Sequence, residues 1–251
     1  MVTRGAEEFS LGQGDHALLM IHGWGSSPRD FRTLAKSLSD QYHCRAPRLY
    51  GHGTQPRDLD EYDWQQHLLQ ITEEFSQLAL THSKVSVIGF SYGGALSLHL
   101  AARRRVSQLV LIAPFYHTPL WKGLVRPDRL VPYLPRFIKS LSKRGPGPIL
   151  DPDALKEHIH YTQMPLQSLR SVVQCAKATD NIIQKVQCPS FILHSVRDAT
   201  ASFDGGVHYL KYLGARDKTL AAFNRSNHVL TLDYDKTEVL FQINRWLRSR
   251  L

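Results

Sequence analysis

Five short apolar runs limit what this chain can fold into: Ala17–Ile21, Lys84–Ile88, Gln108–Ile112, Ser190–His194 and Thr219–Phe223. Each is too short for a buried helix and apolar on both faces, as strands are when a parallel sheet is covered on both sides. The first is stopped by His22-Gly23, the second by Gly89 and the third just before Pro114. Between the runs lie helical patterns. Ser27-Pro28 offers a cap and a first-turn proline ahead of Phe31, Leu34, Ala35 and Leu38. Further apolar stripes run through Trp64, Leu68, Ile71, Phe75 and Leu78, from Ala95 to Arg103, and through Val239, Leu240, Ile243, Trp246 and Leu247. Strand and helix in alternation predict a doubly wound α/β fold with a mostly parallel central sheet.

One stretch breaks the alternation. From 117 to 185 no strand is legible, prolines recur at 119, 127, 132 and 135, and helical patterns return at Ala154–His160 and Leu166–Ala178. A structureless loop of that length does not suit a compact domain. The segment 117–185 therefore reads as a helical cap inserted into a core made of 1–116 and 186–251.

Bulk properties remove several function classes. A chain of 251 residues, 42% hydrophobic and 21% charged, has ordinary globular composition and buries enough core to need no metal or disulfide. Its three cysteines, Cys44, Cys175 and Cys188, are odd in number and lack paired spacing, as in a reducing compartment. No run approaches a membrane span, and Met1–Gln13 lacks an apolar signal core, so a cytoplasmic location is expected. The net charge of +9 is dispersed. Its densest run, Arg103-Arg104-Arg105, follows a predicted helix, where cations favour the negative dipole end. Aromatic and basic residues do not interleave as in single-strand binders, so nucleic acid is not an expected partner.

The sharpest local signal is "VIGFSYGGAL", Val87–Leu96. Gly89-Phe90-Ser91-Tyr92-Gly93 fits G-x-S-x-G, between an expected strand and an expected helix, the setting of a nucleophile elbow. Small neighbours let the backbone turn tightly and raise the Ser91 hydroxyl above the sheet edge. The amide of Tyr92 and the start of the helix would then face an oxyanion. A serine hydroxyl needs a base, and in this setting the chain order is Ser, acid, His. Asp198 in "LHSVRDAT" and His228 in "FNRSNHVLTLD" follow strand runs in that order. Asp204, Asp217, Asp233, Asp235, His194 and His208 are less well placed. The loop "MIHGWGSSP" supplies a second oxyanion donor, the backbone N–H of Trp24, whose side chain would line the acyl pocket. His22 reads as a loop tie to the Gly51-His52-Gly53 loop rather than as a proton-transfer group.

Together "HGWGSSPRDF", "RLYGHGTQPRDL", "GFSYGGAL", "ILHSVRD" and "SNHVLTLD" resemble the serine α/β-hydrolases, most of all the bacterial carboxylesterase and monoacylglycerol lipase group. The resemblance implies an α/β-hydrolase fold with an inserted helical cap. It implies a triad of Ser91, Asp198 and His228, oxyanion donors Trp24 and Tyr92, and no cofactor or metal. It implies hydrolysis of short to medium acyl esters through an acyl-enzyme. Two features depart from the group: Asp198-Ala199-Thr200-Ala201 stands where a β-branched turn usually follows the acid, and Arg197 is positioned to compete for the Asp198 carboxylate. The same triad serves an acyl thioesterase, and a non-catalytic binding protein on the same fold is the alternative from another class.

The cap is the least legible part. Trp121, Tyr133, Phe137, Ile138, Ile159, Tyr161, Met164 and Leu166 either line an acyl tunnel or form the cap's own core, with Trp121 and Met164 the pocket candidates. Lys122, Arg126, Arg129, Arg136 and Lys139 make its first half cationic, which suits weak contact with anionic lipid surfaces.

Overall fold

The computed structural model describes residues 1–120, 123–135, 137–142 and 147–250. In chain order the first strands and helices are β1 (Phe9–Leu11), β2 (His16–Ile21), α1 (Arg32–Leu38), β3 (Tyr42–Ala46), α2 (Trp64–Thr81), β4 (Lys84–Phe90), α3 (Tyr92–Ala101) and β5 (Leu109–Ile112). An insert follows, with β6 (Ser140–Ser142), α4 (Pro152–Glu157), β7 (Gln163–Pro165) and α5 (Leu166–Ala178). The chain closes with β8 (Ser190–Ser195), α6 (Phe203–Tyr212), β9 (Lys218–Phe223) and α7 (Lys236–Arg248). Seven strands form one sheet in the order β1-β3-β2-β4-β5-β8-β9, in which β1 alone runs antiparallel to its neighbour.

Each central strand buries both faces, and alternation sends its side chains to opposite sides. Leu19, Val87, Leu111 and Ile192 pack on one side with Ile71 and Phe75 of α2, Ala95 and Leu96 of α3 and Tyr209 of α6. Leu18, Met20, Ile88 and Val110 pack on the other with Leu34 and Leu38 of α1 and Ile243 and Leu247 of α7. All five apolar runs are strands of this sheet. The edge strand β1 and its neighbour β3 were not expected. β1 is three residues long, and β3 alternates buried and half-buried residues, so neither has a continuous apolar signature.

Four local expectations need correction. β4 does not stop at Gly89 but runs through Phe90, since Gly89 pairs with Ile21 and Leu111 on either side. The Ser27 side chain makes no capping bond; Pro28–Phe31 is a tight 3₁₀ turn and the α-helix starts only at Arg32. α3 begins at Tyr92, directly after the serine, rather than at Ala95. The insert is not wholly helical: β6 and β7 pair antiparallel, and α4 ends at Glu157. Three-residue strands carry too little alternation to be read from sequence. α5 also reaches beyond the insert, because its Val172, Cys175 and Ala176 join the main core cluster beside α3.

The glycine that closes the serine turn is fixed by contact with the neighbouring strand. A Cβ on Gly93 would overlap the carbonyl oxygens of Ile21 and His22 at the end of β2. Gly93→Ala is therefore expected to destabilise the protein by more than about 3 kcal/mol, because backbone on both sides must shift. Denaturant unfolding followed by circular dichroism measures this directly.

Candidate active site

The C-terminal ends of β2, β4, β5, β8 and β9 meet at one edge of the sheet, where parallel α/β folds gather their ligands. Ser91 sits at the tip of β4 with φ +55° and ψ −117°, a conformation that is costly for a residue with a Cβ. Its own backbone holds it there. The Ser91 amide donates to Ile112 O at 2.9 Å, and its carbonyl accepts from Gly94 N at 2.9 Å and Phe115 N at 3.0 Å.

The three residues that the chain order brought forward are in contact. Ser91 Oγ lies 2.8 Å from His228 Nε2, and His228 Nδ1 lies 2.7 Å from Asp198 Oδ2. A carboxylate only accepts, so Nδ1 carries the proton and Nε2 is left to accept from the serine hydroxyl. Asp198 is fixed from its other side, where Oδ1 accepts the amides of Thr200 and Ala201 at 2.8 Å each. Burial pushes the Asp198 carboxyl up. The His228 and His194 imidazoles and their hydrogen bonds outweigh that and hold it well below the ordinary carboxylate range.

The loops that carry Asp198 and His228 are tied together. Asn227 accepts the Ala199 amide at 2.8 Å and donates to Gly147 O at 2.7 Å, while the His228 and Val229 amides donate to Pro148 O at 3.0 and 3.1 Å. Asp233 accepts the amides of Leu150, Asp151 and Asn227, and Asp235 accepts those of Arg225 and Ser226. These two acids, set aside as candidates, build the histidine loop. Asp204 lies on α6 and pairs with Arg126 at 3.2 Å, which ties up one of the insert's cations. Arg197 is exposed and makes none of the contacts to Asp198. His194 is inside β8 as expected, yet its Nε2 is 3.3 Å from Asp198 Oδ2 and 3.1 Å from Ala201 O. That contact was missed. Its only sequence signal is the four-residue spacing from the acid.

Gly23, Trp24, Ser91, Tyr92 and His228 line one cavity of about 380 Å³. Tyr92 opens α3, where first-turn amides have no acceptor within the helix and the dipole is positive. The walls are mostly apolar, with Leu130, Val131, Leu134, Leu141, Leu169 and Val172 among them. Met164 lines the cavity as expected. Trp121 lies outside the described residues. Tyr133, Phe137, Ile138 and Leu166 do not line the cavity: the first two are exposed, and the other two sit behind the lining residues Val131, Leu134 and Leu141 in a small cluster of the insert.

Under the Trp24 loop three buried histidines form an edge-to-face stack. His22 donates from Nδ1 to Gly23 O at 2.9 Å and accepts the Leu49 amide at 3.1 Å. Its ring meets that of His52 at 5.0 Å, and His52 meets His67 at 5.5 Å. His67 donates to Tyr50 O at 3.0 Å and accepts the Tyr92 hydroxyl at 2.9 Å. Burial lowers His22 to about 4 and His52 and His67 in the same direction, so the stack is neutral at pH 7. His22 thus ties loops together, including that of His52.

A sequence profile of the alpha/beta hydrolase family matches residues 18–240. The chain belongs to that family. This alpha/beta hydrolase is 26% identical over 242 residues to a thermostable monoacylglycerol lipase of Bacillus sp. strain H-257, covering 95% of this chain and 93% of the relative. It is 23% identical over 249 residues to a carboxylesterase of Bacillus subtilis, covering 96% of each. Among solved structures, a metagenome-derived lipolytic enzyme superposes with a TM-score of 0.90 at 23% identity, covering 99% of this chain and 100% of that one. A monoacylglycerol lipase of Paleococcus ferrophilus superposes with a TM-score of 0.82 at 19% identity, covering 97% and 98%. Among the described residues no helix of the alpha/beta hydrolase is long and apolar enough to cross a membrane.

The histidine stack predicts acid lability. The folded-state pKa of His22 lies below its ordinary 6.5, so the unfolded chain binds the proton first as pH falls. Stability is full above 6.5 and is lost between there and about 4, by about 3 kcal/mol from His22 alone. Denaturant midpoints at pH 7 and pH 4.5 test the sign and the size.

Proposed function

We propose that this alpha/beta hydrolase is a serine carboxylic ester hydrolase acting on short to medium acyl esters, monoacylglycerols among them, through an acyl-enzyme on Ser91. The observation that carries the reading is the unbroken relay from Ser91 Oγ through His228 to Asp198 at the floor of an apolar cavity. The two Bacillus relatives, a monoacylglycerol lipase and a carboxylesterase, support the same chemistry.

In this reading the Ser91 hydroxyl proton passes to His228 Nε2 as Oγ bonds to the ester carbonyl carbon. The carbonyl oxygen becomes an oxyanion that accepts from the Trp24 and Tyr92 amides. Asp198 stabilises the imidazolium and keeps its tautomer. Collapse breaks the carbon–oxygen bond to the leaving group, and the alcohol departs with the proton from His228. Water then attacks the acyl-enzyme, gives its proton to His228, and releases the acid as Ser91 takes that proton back. The insert, 117–185, covers the reacting groups as a cap, and its apolar wall receives the acyl chain. A cavity near 380 Å³ is within the range of small-molecule sites.

A fluorophosphonate probe should label Ser91, as located by mass. Ser91→Ala should lose the label and at least about 10⁴-fold in kcat/KM on p-nitrophenyl butyrate, and Asp198→Asn should lose a similar factor from kcat. An unlabelled folded wild type would sink the enzyme reading in favour of a binding protein. A chain-length series of p-nitrophenyl esters sizes the pocket, and matched ester and thioester substrates separate esterase from thioesterase.

The insert also supports a weak contact with anionic lipid surfaces. Leu124, Tyr133 and Phe137 are exposed beside the exposed cations Arg129 and Lys139. Binding to phosphatidylglycerol vesicles is expected to fall steeply between low and physiological salt, and to be absent on phosphatidylcholine.

A further inference from the structure

A loop that offers an amide to a developing oxyanion must be held closely, since displacement by about 1 Å costs on the order of 100-fold in rate. The loop that carries Trp24 is poor at holding itself. It contains Gly23, Gly25, Ser26 and Ser27, and Gly25 has φ +68°. The Ser26 amide closes a turn on Gly23 O at 3.3 Å and the His22 ring bonds that same oxygen; further restraints come from the insert, more than a hundred residues later in the chain.

The Trp24 indole N–H donates to Ser168 Oγ at 2.7 Å. The Tyr161 amide donates to Gly25 O at 2.8 Å, while its hydroxyl accepts the Thr54 amide at 2.7 Å and reaches Gly51 O at 3.3 Å. Where the loop ends, Asp30 Oδ1 lies 3.1 Å from His158 Nε2, with the two side chains 1% and 3% exposed. That approach falls outside hydrogen-bond geometry, so it is a buried polar contact rather than a directed bond. The second oxygen of Asp30 accepts the Ser26 hydroxyl.

The anchor at the other end is rigid. Ser168 is 2% exposed in the first turn of α5, and its amide donates to Asp60 Oδ1 at 2.8 Å. One turn on, Ser171 Oγ accepts the Trp64 amide at 2.7 Å. Cys175 and Ala176 then join the main core. Ser168 thus transmits the position of the core to Trp24.

We propose that the insert completes the oxyanion hole, with Ser168, Tyr161 and His158 as positioning residues for the Trp24 amide. The proposal rests on the reading of Ser91 and Trp24 given above. Ser168 does not line the cavity, so pocket shape alone assigns it no part in turnover.

The lead test is Ser168→Ala assayed with p-nitrophenyl butyrate. Its kcat should fall by about tenfold or more while KM stays within about twofold, because the lost interaction acts on the transition state. Ser168→Thr keeps a hydroxyl and should recover most of the rate. Affinity for an alkyl trifluoromethyl ketone, which adds Ser91 to form an oxyanion, should fall by the same factor as kcat/KM. Affinity for the matching alcohol, which forms none, should not change. Trp24→Phe should cost as much as Ser168→Ala, and the double variant no more than either. Circular dichroism and thermal unfolding establish that each variant is folded. An unchanged kcat, a raised KM alone, equal losses for ketone and alcohol, or additive losses in the double variant would each overturn the proposal. Because wild-type turnover and Ser91 labelling are measured in the same series, their absence would instead overturn the hydrolase reading.

Discussion

The fold depends on one strained residue being held from three sides. Ser91 adopts φ +55° between β4 and α3, and the hydrogen bonds of its amide and carbonyl reach Ile112, Gly94 and Phe115. Strain of this kind, of order 1–3 kcal/mol, persists only where the surroundings leave no alternative. Here the surroundings are the sheet itself. β2 and β5 flank β4, and the close approach of Gly93 to the end of β2 leaves α3 no freedom to relax. The same geometry aims the hydroxyl at His228 and turns the first amides of α3 toward the cavity. Backbone strain, strand order and the placement of the Ser91 hydroxyl are one constraint.

Legibility in the sequence followed burial and periodicity. β2, β4, β5 and β8 could be read because each is apolar on both faces, and the edge strand β9 because its run is still mostly apolar; β1 is too short and β3 alternates, so neither shows such a run. The boundaries of α5 were legible from its stripe, whereas β6 and β7 are too short to have a period. At the site, Ser91, Asp198 and His228 were legible from chain order and strand ends, and they prove to be in contact. The second neighbour of the acid, His194, was not, because a histidine in a buried strand looks the same whether or not it touches a carboxylate. Nor was the role of Asp233, whose amide partners come from two loops about eighty residues apart. The cap's aromatic residues divided by exposure, which composition does not encode: Met164 faces the cavity while Tyr133 and Phe137 face solvent.

The histidines divide by environment in the same way. His228 lies at the cavity, with a carboxylate on one ring nitrogen and a hydroxyl on the other. His22, His52 and His67 are shut among one another and backbone groups, where desolvation outweighs every favourable contact. One residue type thus bridges a hydroxyl and a carboxylate in one place and is a neutral, shape-defining ring in the other. The difference lies in contact: His228 Nδ1 is hydrogen-bonded to the Asp198 carboxylate, whereas the charges of Asp30 near His22 and Asp63 near His67 are outweighed by burial.

The seat of α5 in the main core bears on how such a chain can diversify. Its Val172, Cys175 and Ala176 pack beside α3, so the last helix of the insert is as much wall as roof. Exchange of segment 117–185 between relatives would cut through that wall, whereas exchange of 117–165 would leave it standing. Substitutions at Leu130, Leu141 or Met164 would therefore reshape the cavity wall without touching the main core cluster, whereas one at Val172 would alter both.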